Sequence, residues 1–277
     1  MKTYLLLIVI LINAQISYSQ TSNYKIIYRH CLQIDTSQKL RDTVGLQATL
    51  IGNSKESNYS FAKLPKDYKS NIKNTTFGDI IKNKTQGTQT IKGSNITYDS
   101  IGNILYQNKL TKKIFVREKM ANEYLITEEI TPAINWEITE DKKIIKNYTC
   151  QKAVTYFRGR YYIAWFTTQI PIVAAPWKFN GLPGLLMDIE DINHQVKIYI
   201  ESIEYPSTEK VGKFIDKGNK VSLQKYFTRR EEENKKMLQN MLIMMQNQED
   251  GNGKRIENVK FSATSKSALY NIEIKMD

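Results

Sequence analysis

The 277-residue chain is poor in the residues that build most metal and catalytic centres, with only two His and two Cys. No His-Glu-x-x-His, Cys-x-x-Cys or Asp-rich calcium loop occurs, and neither His30 nor His194 has a second ligand at metal spacing. Gly-x-Ser-x-Gly elbows and Gly-rich phosphate loops are also missing. The expectation is therefore no metal, no cofactor and no recognisable catalytic set. Six Pro and 13 Gly exclude a low-complexity linker protein. Past the first twenty residues no apolar run approaches the ~20 residues of a membrane-crossing helix. Arginine is scarce too, 8 of 40 cations. A net charge of +12 would otherwise suggest nucleic acid. A Lys-heavy surface lacks the bidentate readers of phosphates and bases, so no nucleic-acid partner is expected.

What is abundant is Ile (35), Lys (32) and Asn (22), a bias spread along the whole chain. Hydrophobic residues at 41% and charged residues at 25% give an ordinary globular composition with material for a core. Met1-Lys2-Thr3 is a short positive start, followed by nine apolar residues at 4–12 and by Ser17-Tyr18-Ser19. Nine residues make a helix of about 14 Å, less than half the hydrocarbon core of a bilayer. That pattern predicts a signal peptide over residues 1–19, cleaved before Gln20, and a protein of the periplasm or cell surface. Cys31 lies too far downstream to carry a lipid at the cleavage point. Export makes nucleic acid less plausible still. Five Asn-x-Ser/Thr triplets, from Asn58 to Asn147, are what an Asn-rich chain produces by chance.

The mature chain reads mostly as strands. Candidates are residues 24–35, 45–51, 59–61, 101–108, 113–119, 123–130, 136–139, 150–157, 161–166, 185–192 and 196–203. Between 101 and 130 only two to five polar residues separate them, the spacing of antiparallel hairpins, with no helix to make parallel crossovers. Gly52-Asn53-Ser54 and Arg158-Gly159-Arg160 read as turns, the second flanked by alternating Val154, Tyr156, Tyr162 and Ala164. Residues 65–94 form a polar excursion of poor periodicity. Near the C-terminus Ser222 can cap a long helix with apolar residues at Leu223, Tyr226, Phe227, Met237, Leu238, Met241, Leu242 and Met245. The charged stretch 229–236 should project into water. Closing strands are expected at 259–261 and 269–274. The reading is a mainly β, β-rich α+β fold: a curved antiparallel sheet with one long C-terminal helix packed on it. Residues 20–277 form a single domain.

Chemistry is thin. Asp188 and Glu190 are two apart on a strand and share a face, with Asp191 beside them. Paired carboxylates can share a proton or divide acid and base roles, but they are more often the wet face of a half-buried sheet. Cys31 and Cys150, an even pair in an exported chain, are a candidate disulfide, with two buried free thiols as the competing reading. The most distinctive segment is 165–187. Leu182-Pro183-Gly184-Leu185 reads as a type II turn, with Gly184 taking positive φ and Gly181 allowing a close approach. Trp165, Trp177 and Phe179 surround it, either as a buried aromatic plug, which the usual burial of large aromatics favours, or as an open platform for a ligand.

Gly181-Leu182-Pro183-Gly184-Leu185-Leu186 resembles the signature of the GLPGLI family, exported proteins found chiefly in Bacteroidetes. The resemblance extends through Tyr148-Thr149-Cys150-Gln151-Lys152-Ala153, Arg158-Gly159-Arg160, Ala164-Trp165-Phe166-Thr167, Ile170-Pro171-Ile172 and Pro176-Trp177-Lys178-Phe179. It covers roughly residues 24–250. Ala175 stands where the family usually has Gly, and Leu186 replaces the final Ile. The family is similar to the bowl-like N-terminal domain accompanying a bacterial peptide-N-glycosidase, which implies a curved sheet serving as an accessory module and gives no catalytic residues to carry over. Two functions follow. One is a non-catalytic envelope module binding a peptide, glycan or lipidic ligand, or an envelope protein, through Arg158, Arg160, Trp165, Trp177 and Phe179. The other is a glycan or peptide hydrolase using Asp188, Glu190 and Asp191.

Overall fold

The computed structural model describes residues 22–32, 46–61 and 99–246. The leader, the excursion at 65–94 and the closing strands at 259–261 and 269–274 lie outside the described residues. So do the side chains of Met237, Leu238, Met241, Leu242 and Met245. Among the described residues there are twelve strands: β1 (Asn23–Leu32), β2 (Leu46–Gly52), β3 (Glu56–Phe61), β4 (Asn103–Asn108), β5 (Lys113–Met120), β6 (Glu123–Ile130), β7 (Glu137–Ile145), β8 (Tyr148–Phe157), β9 (Arg160–Thr167), β10 (Leu185–Asp191), β11 (Val196–Ser207) and β12 (Asn219–Lys220). One helix, α1 (Leu223–Gln246), follows. The fold is the expected β-rich one, a large open, curved sheet with a single helix. No described helix is long and apolar enough to cross a membrane.

All strands belong to one sheet in the order β12-β6-β5-β4-β3-β2-β1-β11-β10-β9-β8-β7. Its ladders are antiparallel except for the two residues of β12, which run parallel to β6 and make the sheet mixed. Chain geometry forces the curvature. β6 and β7 are consecutive in sequence yet ten strand positions apart, about 48 Å in a flat sheet. The connection of residues 131–136 reaches about 25 Å when fully extended. The sheet must therefore curl until its two ends approach. Contacts across the gap show that they do. Trp136 Nε1 donates to Asn180 O at 2.7 Å, Asn180 Nδ2 to Pro132 O at 3.0 Å, and Thr155 Oγ1 to Asn135 O at 2.7 Å. At the same seam Glu129 of β6 accepts from Arg158 at 2.8 Å and pairs with Lys178, all three buried.

The inner face carries the core in transverse rows. Ile26, Leu50, Tyr59 and Leu105 align across β1 to β4, while Tyr24, Gly52, Ser57 and Gln107 form the adjacent, more polar row. Ile189, Ile198, Ile200, Ala164 and Ala153 continue the apolar surface through the other half of the sheet. Residues 168–184, an irregular connection, lie on that face with Ile170, Ile172, Phe179 and Leu182 buried.

Three local readings are corrected. The β8–β9 hairpin turns on two residues, Arg158 (φ 51°) and Gly159 (φ 87°), with Phe157 opposite Arg160. Two positive φ values make this the primed turn that matches strand twist. Val154 and Tyr156 consequently share a face with Ile163 and Tyr161, not with Tyr162 and Ala164. β7 also runs well past residue 139, to Ile145. Helix α1 begins as the sequence predicts, with Ser222 Oγ accepting from Lys225 N at 3.2 Å. Tyr226 packs with Met120 and Leu125, and its hydroxyl donates to Glu118. The charged stretch does not all face water, since Arg230 is buried with its guanidinium 4.6 Å from the Phe227 ring centroid.

Candidate functional site

The Pro-Gly segment is built differently from the turn its sequence suggests. Gly181, not Gly184, adopts positive φ (90°), so the reading of a type II turn with its left-handed residue at Gly184 does not hold. Gly184 is required for space: a Cβ there would stand 2.2 Å from the carbonyl oxygen of Thr167. The close approach lets β10 start beside the end of β9. It also places Leu186 N within 2.9 Å of Ala174 O and Ala174 N 3.3 Å from Gly184 O, stitching residues 172–175 to the signature segment.

The aromatic residues separate into two groups. Phe179 is buried, 5.0 Å from Tyr162 and 5.1 Å from Trp177 between ring centroids, and Phe157 lies 6.0 Å from each of Trp177 and Phe179. Trp177 keeps φ at 53°, a conformation that costs an L-residue about 1–2 kcal/mol; its stacking and the adjoining Lys178–Glu129 pair hold it there. Arg158 lies against this cluster, 5.6 Å from the Phe157 ring. Trp165 belongs elsewhere. It sits on the opposite face beside Asp188, with Lys143 Nζ 4.4 Å over its ring. Arg160 is fully buried and paired with Asp191 at 2.9 Å, also donating to Gln195 at 2.6 Å. Arg158, Trp177 and Phe179 therefore come together as a plug, while Arg160 and Trp165 are held apart from it.

The carboxylates divide as well. Asp188 and Glu190 do share the outer face, but each is engaged, Asp188 with Lys143 at 3.0 Å and Glu190 with His194. Asp191 points inward and accepts from the backbone N–H groups of Gln195 and Val196, both at 2.7 Å, besides Arg160. It caps its own hairpin turn. Cys31 and Cys150 are both buried, and no disulfide joins them. They lie on β1 and β8, with β11, β10 and β9 between them, so the candidate disulfide has no path between adjacent strands. Among the described residues no group of three His, Cys, Asp or Glu side chains could hold a metal.

The concave face does hold a cavity, of about 450 Å³, between the polar row of β1–β4 and the irregular connection. One wall is Tyr24, Asn53, Ser57, Gln107 and Lys109; the other is Ile172, Ala174, Phe179, Leu182 and Leu186. Lys109 follows β4 and turns inward, donating to Asn53 O at 2.7 Å and to Tyr24 Oη at 3.3 Å. Burial lowers its amine from 10.5 to about 8, and burial also raises the Tyr24 phenol above its ordinary range. Lys109, Tyr24 and Asn53 were not singled out by sequence reasoning. Lys109 sits in a hairpin turn of a Lys-rich chain, where nothing distinguishes it from a solvated lysine.

A family model described as "Protein of unknown function (Porph_ging)" matches residues 158–188. That stretch runs from the Arg158-Gly159 turn through β9 and the cavity's apolar wall to Asp188. Among solved structures, the chain is similar to PNGF-II in a C2 space group, with 16% identity and a TM-score of 0.46, covering 75% of this chain and 32% of that one. PNGF-II in a P21 space group gives 15% identity and a TM-score of 0.46, covering 75% and 33%. The chain thus spans about a third of the length of these structures. No curated protein matches the sequence.

Proposed function

We propose that this chain is an exported, GLPGLI-type accessory module of the cell envelope, with residues 20–277 as one domain, that binds a small ligand without transforming it. The observation that carries the reading is the cavity on the concave face, whose apolar wall Leu182 and Leu186 of the Pro-Gly segment share with Ile172, Ala174 and Phe179. A cavity of about 450 Å³ walled in part by that segment supports a role for it beyond core packing. Export is supported by the positive start, the short apolar run and the small residues before Gln20. The peptide, glycan and lipidic classes all remain in scope for the ligand. Of the residues proposed for binding, Phe179 lines the cavity, Trp177 packs edge-on against Phe179, and Arg158 lies against Phe157 of the same cluster. Against the hydrolase reading, Asp188, Glu190 and Asp191 are each committed to a partner and lie on two faces of β10.

The test uses a neutral apolar fluorophore, N-phenylnaphthylamine. Its emission should rise on adding the mature protein and stay flat with Ala175→Trp, which fills the cavity, at an unchanged melting temperature. Trp165→Ala, on the other face, should bind the probe like the wild type. Full binding by Ala175→Trp would move the site elsewhere. Loss of envelope-fraction hydrolysis in Asp188→Asn would instead favour the enzyme.

A further inference from the structure

Lys109 places a cation against a cavity in a way that folding alone does not explain. Both of its hydrogen-bond acceptors, the Asn53 carbonyl and the Tyr24 hydroxyl, are neutral. No described carboxylate pairs with it, whereas Lys178, buried at the seam, has Glu129. Burial lowers its amine, and the Tyr24 ring centroid lies 5.5 Å from the nitrogen. An ammonium taken from water without a counter-ion costs stability. Its position is also built. Tyr24 pairs across the sheet with Gly52, and a Cβ on Gly52 would lie 2.3 Å from the Tyr24 hydroxyl. The bare glycine lets the ring lie flat over β2 and bring its oxygen to Lys109. The amine is thus held on two acceptors at the cavity with a third donor direction left for an incoming group.

The facing wall is apolar, and the backbone of Ala174 and the Ile172 N–H are occupied. Ala174 N and O bond Gly184 O and Leu186 N, and Ile172 N bonds Ile170 O at 2.7 Å. A peptide lying there would lose water from its own N–H and C=O groups and find few partners. A bare alkyl chain loses nothing of the kind. The volume, roughly 15 water volumes, suits a ligand of that size.

We propose that the cavity binds a small amphipathic carboxylate, an apolar acyl chain whose carboxylate pairs with the Lys109 amine while the chain lies against Ile172, Leu182 and Leu186. This rests on the cavity reading above and names its ligand class. Isothermal titration of the mature chain with decanoate and with decanol tests it. At pH 7 decanoate should bind at least about tenfold more tightly than decanol. Lys109→Met should bring the two to equal affinity without lowering the melting temperature, because it removes a half-buried charge that has no described counter-ion. Lys109→Gln serves the same purpose if the Met variant does not fold. In the wild type, raising pH from 7 to 9 removes the amine's proton, so decanoate affinity should fall by about tenfold and decanol affinity should not change. Equal binding of the two probes by wild type would overturn the carboxylate preference and leave the cavity reading standing. Failure of decanoate, decanol and N-phenylnaphthylamine alike would overturn both. Tighter binding of an apolar peptide with a free C-terminus than of decanoate would overturn the acyl assignment.

Discussion

His30 sits on β1 with its ring 5.1 Å from Phe61 and 6.5 Å from Tyr59, centroid to centroid, and neither ring nitrogen has a partner among the described residues. Burial lowers its imidazole from 6.5 to about 4. Between those values the unfolded chain binds a proton that the folded chain does not, so stability is complete above about 6.5 and declines as pH falls toward 4. The urea midpoint should drop steadily across that window, and His30→Phe should flatten the slope. A wild-type midpoint that stays level from pH 6.5 to 4 would show that the ring reaches water. At this scale the sequence is legible in part. Alternation placed Asp188 and Glu190 on one face correctly, because the pleat depends only on parity. It could not reveal that Lys109 folds inward, since that depends on Tyr24 and Asn53, which distant parts of the chain bring beside it.

The strand-turn-strand elements were readable because hairpins are local: β4, β5 and β6 lie within a residue or two of their expected bounds. β7 was cut short because its middle, Thr139 to Lys143, is a polar, charged run on an exposed edge strand that shows no buried alternation. The Pro-Gly segment shows a subtler limit. A glycine after proline can be needed for its dihedral or for its missing Cβ, and sequence alone does not distinguish the two. The structure predicts different costs. Gly181→Ala should lose about 1–2 kcal/mol, the penalty for a left-handed L-residue, because its Cβ would meet Trp136 only at an ordinary 3.6 Å. Gly184→Ala should lose about 3 kcal/mol, at the top of the overpacking range, because the obstruction is the Thr167 backbone and cannot swing aside. Denaturant titration of the two variants gives the order, and a larger loss for Gly181→Ala would refute the close approach at Gly184.

At the scale of the molecule, the local hairpins say little about closure. A list of antiparallel strands fits an open meander equally well. Two non-local facts decide otherwise: β1 pairs with β11 along its whole length, and six residues carry the chain from β6 to β7 across the seam. The seam has no ladder, so side chains must hold it. Glu129 stands between two buried cations and pairs with both, Arg158 on the β8–β9 turn and Lys178 beside Trp177. Removing a single partner from a buried ionic group usually costs more than the group contributes, because it strands the remaining charge. Glu129→Gln should therefore destabilise the protein by about 3–5 kcal/mol. Amide exchange should also quicken at residues 158–160 and 178–180 ahead of the β1–β2 ladder, since the sheet would open first where its ends meet. A loss under about 1 kcal/mol with exchange unchanged would assign closure to the 131–136 connection and its hydrogen bonds at Asn180. In that case the curvature that forms the cavity is fixed by chain length, and the buried charges merely fill the gap it leaves.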